Sequence, residues 1–148
     1  MKYIILSLLI LYVISYNSEK AIEYAKKYCR HYNDFYINYR DKGGCDCSNF
    51  VSQCLKEGGF DFSGCIGLDE KGSIPKTANL KACLTQKGWK SKVGLPKNFK
   101  PGYPFFKGDM HARIATGIDG KSVIYCDHKC EDTCNGRISD DTLIYYYL

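Results

Sequence analysis

Cys47 sits in the run Asp46-Cys47-Ser48-Asn49-Phe50-Val51-Ser52-Gln53, just after a Gly43-Gly44 turn and at the head of a segment with helical apolar spacing. The chain has nine cysteines. In an oxidising compartment eight can pair, and the ninth is a reactive group or an intermolecular link. A thiol at a helix start is pushed toward the thiolate by the positive end of the helix dipole, so Cys47 is the candidate nucleophile. A nucleophile of this kind needs a base. Two of the chain's three histidines, His111 and His128, lie in two β-prone runs separated by Asp119-Gly120, a dipeptide that favours a tight hairpin. With Asp119 and Gly120 as the loop, Ile118 faces Lys121, and counting back sets His111 opposite His128 in a non-hydrogen-bonded pair, where side chains come closest. A bulge would shift this register. In that geometry His111 takes the Cys47 proton and later protonates a leaving amine, while His128 fixes the tautomer of His111. The backbone amide of Cys47 and a side-chain donor would meet the oxyanion.

These residues need elements to position them. The helix opened by Cys47 is predicted to bury Phe50, Val51, Cys54 and Leu55 and to stop at Gly58-Gly59. Before it, Ala21, Ile22, Ala25, Tyr28, Cys29 and Tyr32 recur at three- and four-residue steps, which predicts a helix from Ser18 to Tyr32 capped by Asn17 or Ser18. Residues 60–76 read as a loop punctuated by glycines. A third helix is expected from Thr77 to Lys87, with Thr77 as its cap and Leu80, Cys83 and Leu84 on one face. From Trp89 the pattern turns extended. Pro96, Pro101 and Pro104 make the stretch from Val93 to Phe106 irregular or edge-like, and Thr142 to Leu148 reads as a last strand.

The compartment is read from the start of the chain. Lys2 followed by an apolar run from Tyr3 to Ile14, with small residues near Ser15, predicts a signal peptide over residues 1–15 and a single mature domain over 16–148. The apolar run is shorter than the roughly 20 residues of a spanning helix, so no stable membrane insertion is expected. The protein is therefore expected to be extracellular, or in the lumen of a secretory or digestive compartment. There Cys29, Cys45, Cys54, Cys65, Cys83, Cys126, Cys130 and Cys134 are the disulfide candidates, with their pairing left open. Cys126, Cys130 and Cys134 with His128 also read as a zinc knuckle, which an oxidising space disfavours; no metal and no cofactor are expected. The net charge of +5, one unit of it from Lys2, comes without a basic stripe interleaved with aromatics, which excludes nucleic acid as a partner.

The run DCSNFVSQCLKEGG resembles the nucleophile helix of the NlpC/P60 superfamily of papain-like cysteine peptidases, and within it the putative amidase domain, whose members carry GGDC(T/S)NFVSQ. Tyr32-Asn33 with Tyr36, and the stretch from His111 to Gly117, look like that family's flanking blocks. The likeness spans most of residues 20–128, more loosely over 60–105. It implies an α+β, papain-like fold with N-terminal helices packed on a small antiparallel β-sheet, here braced by disulfides. It also implies a Cys-His-polar triad, with Cys47 matching the nucleophile, His111 the base and His128 the orienting position. Tyr36 matches a tyrosine that supports the oxyanion site, although Tyr39 is close by. Asp46 and Ser48 flank the nucleophile and join Tyr36 as candidate oxyanion or substrate contacts. Arg113, on the face of His111, either grips a substrate carboxylate or is a solvated strand residue. The chain departs from the family pattern where Cys45 interrupts GGDC and where Gly108-Asp109 stands apart from Pro101-Gly102-Tyr103.

The resulting expectation is a secreted, monomeric cysteine amidase acting through an acyl-enzyme on peptidoglycan stem peptides, in other words a cell-wall lytic hydrolase. Two alternatives stand beside it. One is an acyltransferase or protein deamidase with the same triad. The other is a non-catalytic, disulfide-rich module that binds cell wall.

Overall fold

The computed structural model describes residues 15–129 and 132–148. The leader expected over residues 1–15 therefore lies, apart from Ser15, outside the described residues, as does Cys130. The first helix, α1 (Ser18–Tyr28), starts where Asn17 Oδ1 accepts the Lys20 amide at 3.0 Å. Glu19 in its first turn and Lys26 and Lys27 in its last complement the dipole. It is a turn shorter than expected, because Cys29 is held by a disulfide to Cys134 and the chain then turns away to bring Tyr32 against His128, ring centroids 4.6 Å apart.

The second helix, α2 (Cys47–Glu57), has the predicted bounds and is buried at every residue from Cys47 to Leu55. It packs against α1 on one side and the sheet on another, so no face is left for solvent. Its polar side chains must then find partners inside the protein. Ser48 Oγ donates to Ile74 O at 2.9 Å, Ser52 Oγ accepts the Ile74 amide at 2.9 Å and donates to Asn49 O at 2.7 Å, and Gln53 accepts the Tyr24 hydroxyl at 2.8 Å. The two bonds to Ile74 stitch the 60–76 loop onto α2, and the Tyr24 bond ties α2 to α1. The third helix, α3 (Thr77–Gln86), has Lys76 at its N-cap position in place of the expected Thr77 and no side-chain cap, and the Cys65–Cys83 disulfide ties it to the loop.

Six strands, β1 (Lys90–Val93), β2 (Pro104–Lys107), β3 (His111–Asp119), β4 (Ser122–His128), β5 (Asp132–Ile138) and β6 (Ile144–Tyr147), form one antiparallel sheet in the order β1-β6-β2-β3-β4-β5. The class is α+β, as expected. Pro104 opens β2, where a missing amide costs least. Phe105, Phe106, Ile114 and Tyr145 are fully buried or nearly so, each contributing about 1.5–3 kcal/mol through burial. Gly102 adopts φ +88° and lies so close to α1 that an added Cβ would sit 2.5 Å from the Ser18 side chain, so only glycine lets the two segments meet.

Two expectations fail here. The β3–β4 hairpin closes on Asp119 and Ser122, leaving Gly120 and Lys121 as its loop, and a bulge falls between Ala115 and Gly117. Below the bulge Ile114 faces Cys126, which is one residue away from the expected register. In addition Cys54 and Cys126, two of the eight disulfide candidates, are buried thiols. Both belong to the apolar core, where burial pushes their thiols up and leaves them inert. Among the described residues no helix is long and apolar enough to cross a membrane.

Candidate active site

The nucleophile turn is built around Asp46. This residue is the N-cap of α2, yet its side chain caps no helix amide. Its Oδ1 instead accepts the Tyr39 amide at 3.1 Å and the Asn49 side chain at 2.8 Å, while Oδ2 lies 3.2 Å from His128 Nδ1. The first-turn amides of α2, which have no acceptor within the helix, are thus not occupied by a side-chain cap. One of them, from Ser48, favours a negative Cys47 sulfur together with the Ala112 amide of β3.

Cys47 and His111 meet at the start of α2 and the start of β3. Burial pushes the Cys47 thiol up, but the hydrogen bond to His111, the Ala112 amide, the charge of His111 and the Ser48 amide together hold it below its ordinary value. Burial pushes His111 down, and here Asp127 and Cys47 more than reverse it, so the imidazole is raised. His111 Nε2 lies 2.8 Å from Asp127 Oδ2. A carboxylate only accepts, so Nε2 carries the hydrogen and Nδ1 is left for the sulfur. Cys47 is 3% exposed, His111 6% and Asp127 1%. The arrangement is a thiol whose ionisation is favoured, beside an imidazole whose protonation is favoured and a buried carboxylate; in their charged forms such a pair can attack a carbonyl carbon and protonate a leaving group.

The side chain that the structure sets against His111 is Asp127, where the sequence led us to expect His128. Successive strand residues point to opposite faces, so a register slip of one residue exchanges them. With Ile114 opposite Cys126, Asp127 falls on the face of His111 and Arg113, and His128 on the other. There His128 stacks on Phe50 with centroids 3.8 Å apart, donates from Nε2 to Tyr28 O at 2.7 Å and faces Asp46 with Nδ1. It joins β4 to α1 and to the nucleophile turn.

The other candidates are also placed. Asp46 is 1% exposed and Ser48 fully buried, with the Ser48 hydroxyl committed to Ile74, so neither side chain is open to substrate. Tyr36 packs on Phe35 and lies 5.7 Å from Lys56 Nζ, toward the end of α2 remote from Cys47. Among the described residues no contact joins it to Cys47 or His111. Arg113 is largely buried: it is 8% exposed, against Tyr125 and Phe105, with Nε 3.3 Å from Asp127 Oδ2. Sequence reasoning missed Asp127, although it lies in the Cys126-Asp127-His128 run; the available signal was an acid one position from the expected partner. The zinc reading loses Cys134, which is bonded to Cys29, and among the described residues no cluster of three or more His, Cys, Asp or Glu side chains is arranged to hold a metal ion.

An α+β domain with a buried thiol, imidazole and carboxylate in line is the class that fold and site define. The model of the putative amidase domain family matches residues 15–99, more than half of the chain, and the chain belongs to that family. The matched span holds Cys47 and stops before His111 and Asp127. No curated protein and no solved structure matches the chain.

Proposed function

We propose that this amidase-family chain is a secreted cysteine hydrolase of the NlpC/P60, papain-like kind that cleaves amide bonds in peptidoglycan stem peptides. Residues 1–15 would be its leader. The observation that carries the reading is the hydrogen-bonded line Cys47, His111, Asp127 at the mouth of α2, with the thiol held low and the imidazole high. Cys47 attacks the carbonyl carbon as thiolate, and the oxyanion is met by first-turn amides of α2. His111 gives its proton to the amine, the C–N bond breaks and a thioester remains. Water then gives a proton to the neutral imidazole and attacks the thioester, releasing the acid and restoring thiolate and imidazolium.

The depth of the nucleophile favours a thin, flexible substrate. Cys47 is only 3% exposed, so the sulfur suits a short peptide strand better than the broad surface of a folded protein. Purified peptidoglycan incubated with the protein and analysed by mass spectrometry should yield peptide fragments with new carboxyl ends, and none with Cys47→Ala. Intact peptidoglycan after incubation with a protein whose Cys47 alkylates readily would refute the substrate.

A further inference from the structure

Asp127 presents a physical problem that its bond to His111 does not solve. It is 1% exposed, and its Oδ1 is buried with no hydrogen-bond partner. In the acylation step of the proposed hydrolysis, on which this inference rests, His111 gives up its proton and the carboxylate loses its cationic neighbour. A buried charge left alone in this way is costly. The remaining cation is Arg113, two residues from His111 on the same face of β3, with Nε 3.3 Å from Asp127 Oδ2. Its Nε and Nη1 are also buried without hydrogen-bond partners, and the guanidinium lies 5.1 Å from the Tyr125 ring centroid and 5.9 Å from that of Phe105. Two unsatisfied groups of opposite sign thus lie side by side, walled by aromatic rings.

We infer that Arg113 is a positioning residue for catalysis, holding Asp127 charged and in place through both halves of the cycle. The line then alternates in sign, thiolate, imidazolium, carboxylate, guanidinium. When the imidazole turns neutral, the last two still balance. This replaces substrate gripping as the role of Arg113, since its Nε edge is turned to Asp127 and the residue is only 8% exposed. The other titratable groups that sense the pair are Cys126 beside Asp127, and Asp140 and Tyr145 beside Arg113.

The test reads Cys47 alone and needs no substrate. Alkylation by iodoacetamide, which is neutral, and by iodoacetate, which carries a carboxylate, is followed across pH by peptide mapping on the full chain. Arg113→Met should slow both reagents about tenfold near pH 6 and move the acid limb up by about one unit, as thiolate formation loses its support. Arg113→Lys, which keeps the charge, should restore most of the limb. An unmoved limb in the Met variant, or a loss confined to iodoacetate, overturns the proposal. If Arg113→Met does not unfold cooperatively on heating, the wild-type protein decides. Its Arg113 Nε–H should give a slowly exchanging NMR signal that shifts as His111 titrates, and a rapidly exchanging or unmoved signal overturns the role. Failure of the underlying hydrolase reading is separate, because wild-type Cys47 would then alkylate no faster than free cysteine at pH 7.

Discussion

At Cys47 two influences oppose each other: a buried site that disfavours any charge, and an imidazole with two amides that favour a negative sulfur. The second prevails, which fixes a pH response. The thiolate should appear at lower pH than for an ordinary thiol, and the imidazolium should persist to higher pH than for an ordinary histidine. Hydrolysis should therefore fall on the acid side as Cys47 takes up its proton and on the alkaline side as His111 loses its own, a bell measurable in kcat/KM. Asp127 and His128 are adjacent, yet their substitutions should separate. Asp127→Asn is expected to lower kcat by about 10²–10³-fold with the fold retained. His128→Ala, which removes a stacked ring and two hydrogen bonds, is expected to cost about 2–4 kcal/mol in urea unfolding with kcat largely kept. The reverse pattern would restore His128 to the line. Sequence made Cys47 and His111 legible because each stands at the start of an element with clear punctuation. Asp127 was hidden because a one-residue error in counting pairs swaps which neighbour faces the site.

Among the elements, α2 was readable from end to end: Gly43-Gly44 before it, Gly58-Gly59 after it, and an apolar spacing that left little choice. The hairpin strands were also legible, but their register was not, since nothing in the residues from His111 to Gly117 announces an extra residue at Thr116. β5 escaped altogether. Its sequence, DTCNGRI, contains a glycine and an asparagine at positive φ, and it lacks the alternation that marks a strand. The burial of α2 predicts where the helix is fragile. Ser52→Ala strands the Ile74 amide without a partner and should destabilise by about 1–3 kcal/mol in urea melts, with the loss shared by the 60–76 loop in hydrogen exchange.

For the molecule as a whole, the active-site line crosses between an N-terminal helix and a C-terminal hairpin. The Cys29–Cys134 disulfide joins α1 to β5 over a separation of 105 residues. In the chain-entropy account a loop of about 100 residues is worth about 4–5 kcal/mol, so Cys29→Ser with Cys134→Ser should lower thermal stability by an amount of that order. The start of the fold is equally constrained. Tyr16 packs on Trp89 at 5.2 Å and donates its hydroxyl to Gly102 O at 2.6 Å, and Asn17 caps α1. N-terminal sequencing of the purified protein should therefore begin at Tyr16 or earlier; a start beyond Tyr16 would contradict this packing.

The place of β6 in the sheet has a consequence for how the sheet is assembled. It is made last of the six strands yet sits between β1 and β2, and β2 in turn flanks the strand that bears His111. Until β6 has entered, that inner position is vacant and β2 lacks one of its two neighbours. A strand that comes last in sequence but lies inside the sheet must enter by insertion and not by addition at an edge, so β1 and β2 can become parts of one sheet only through β6.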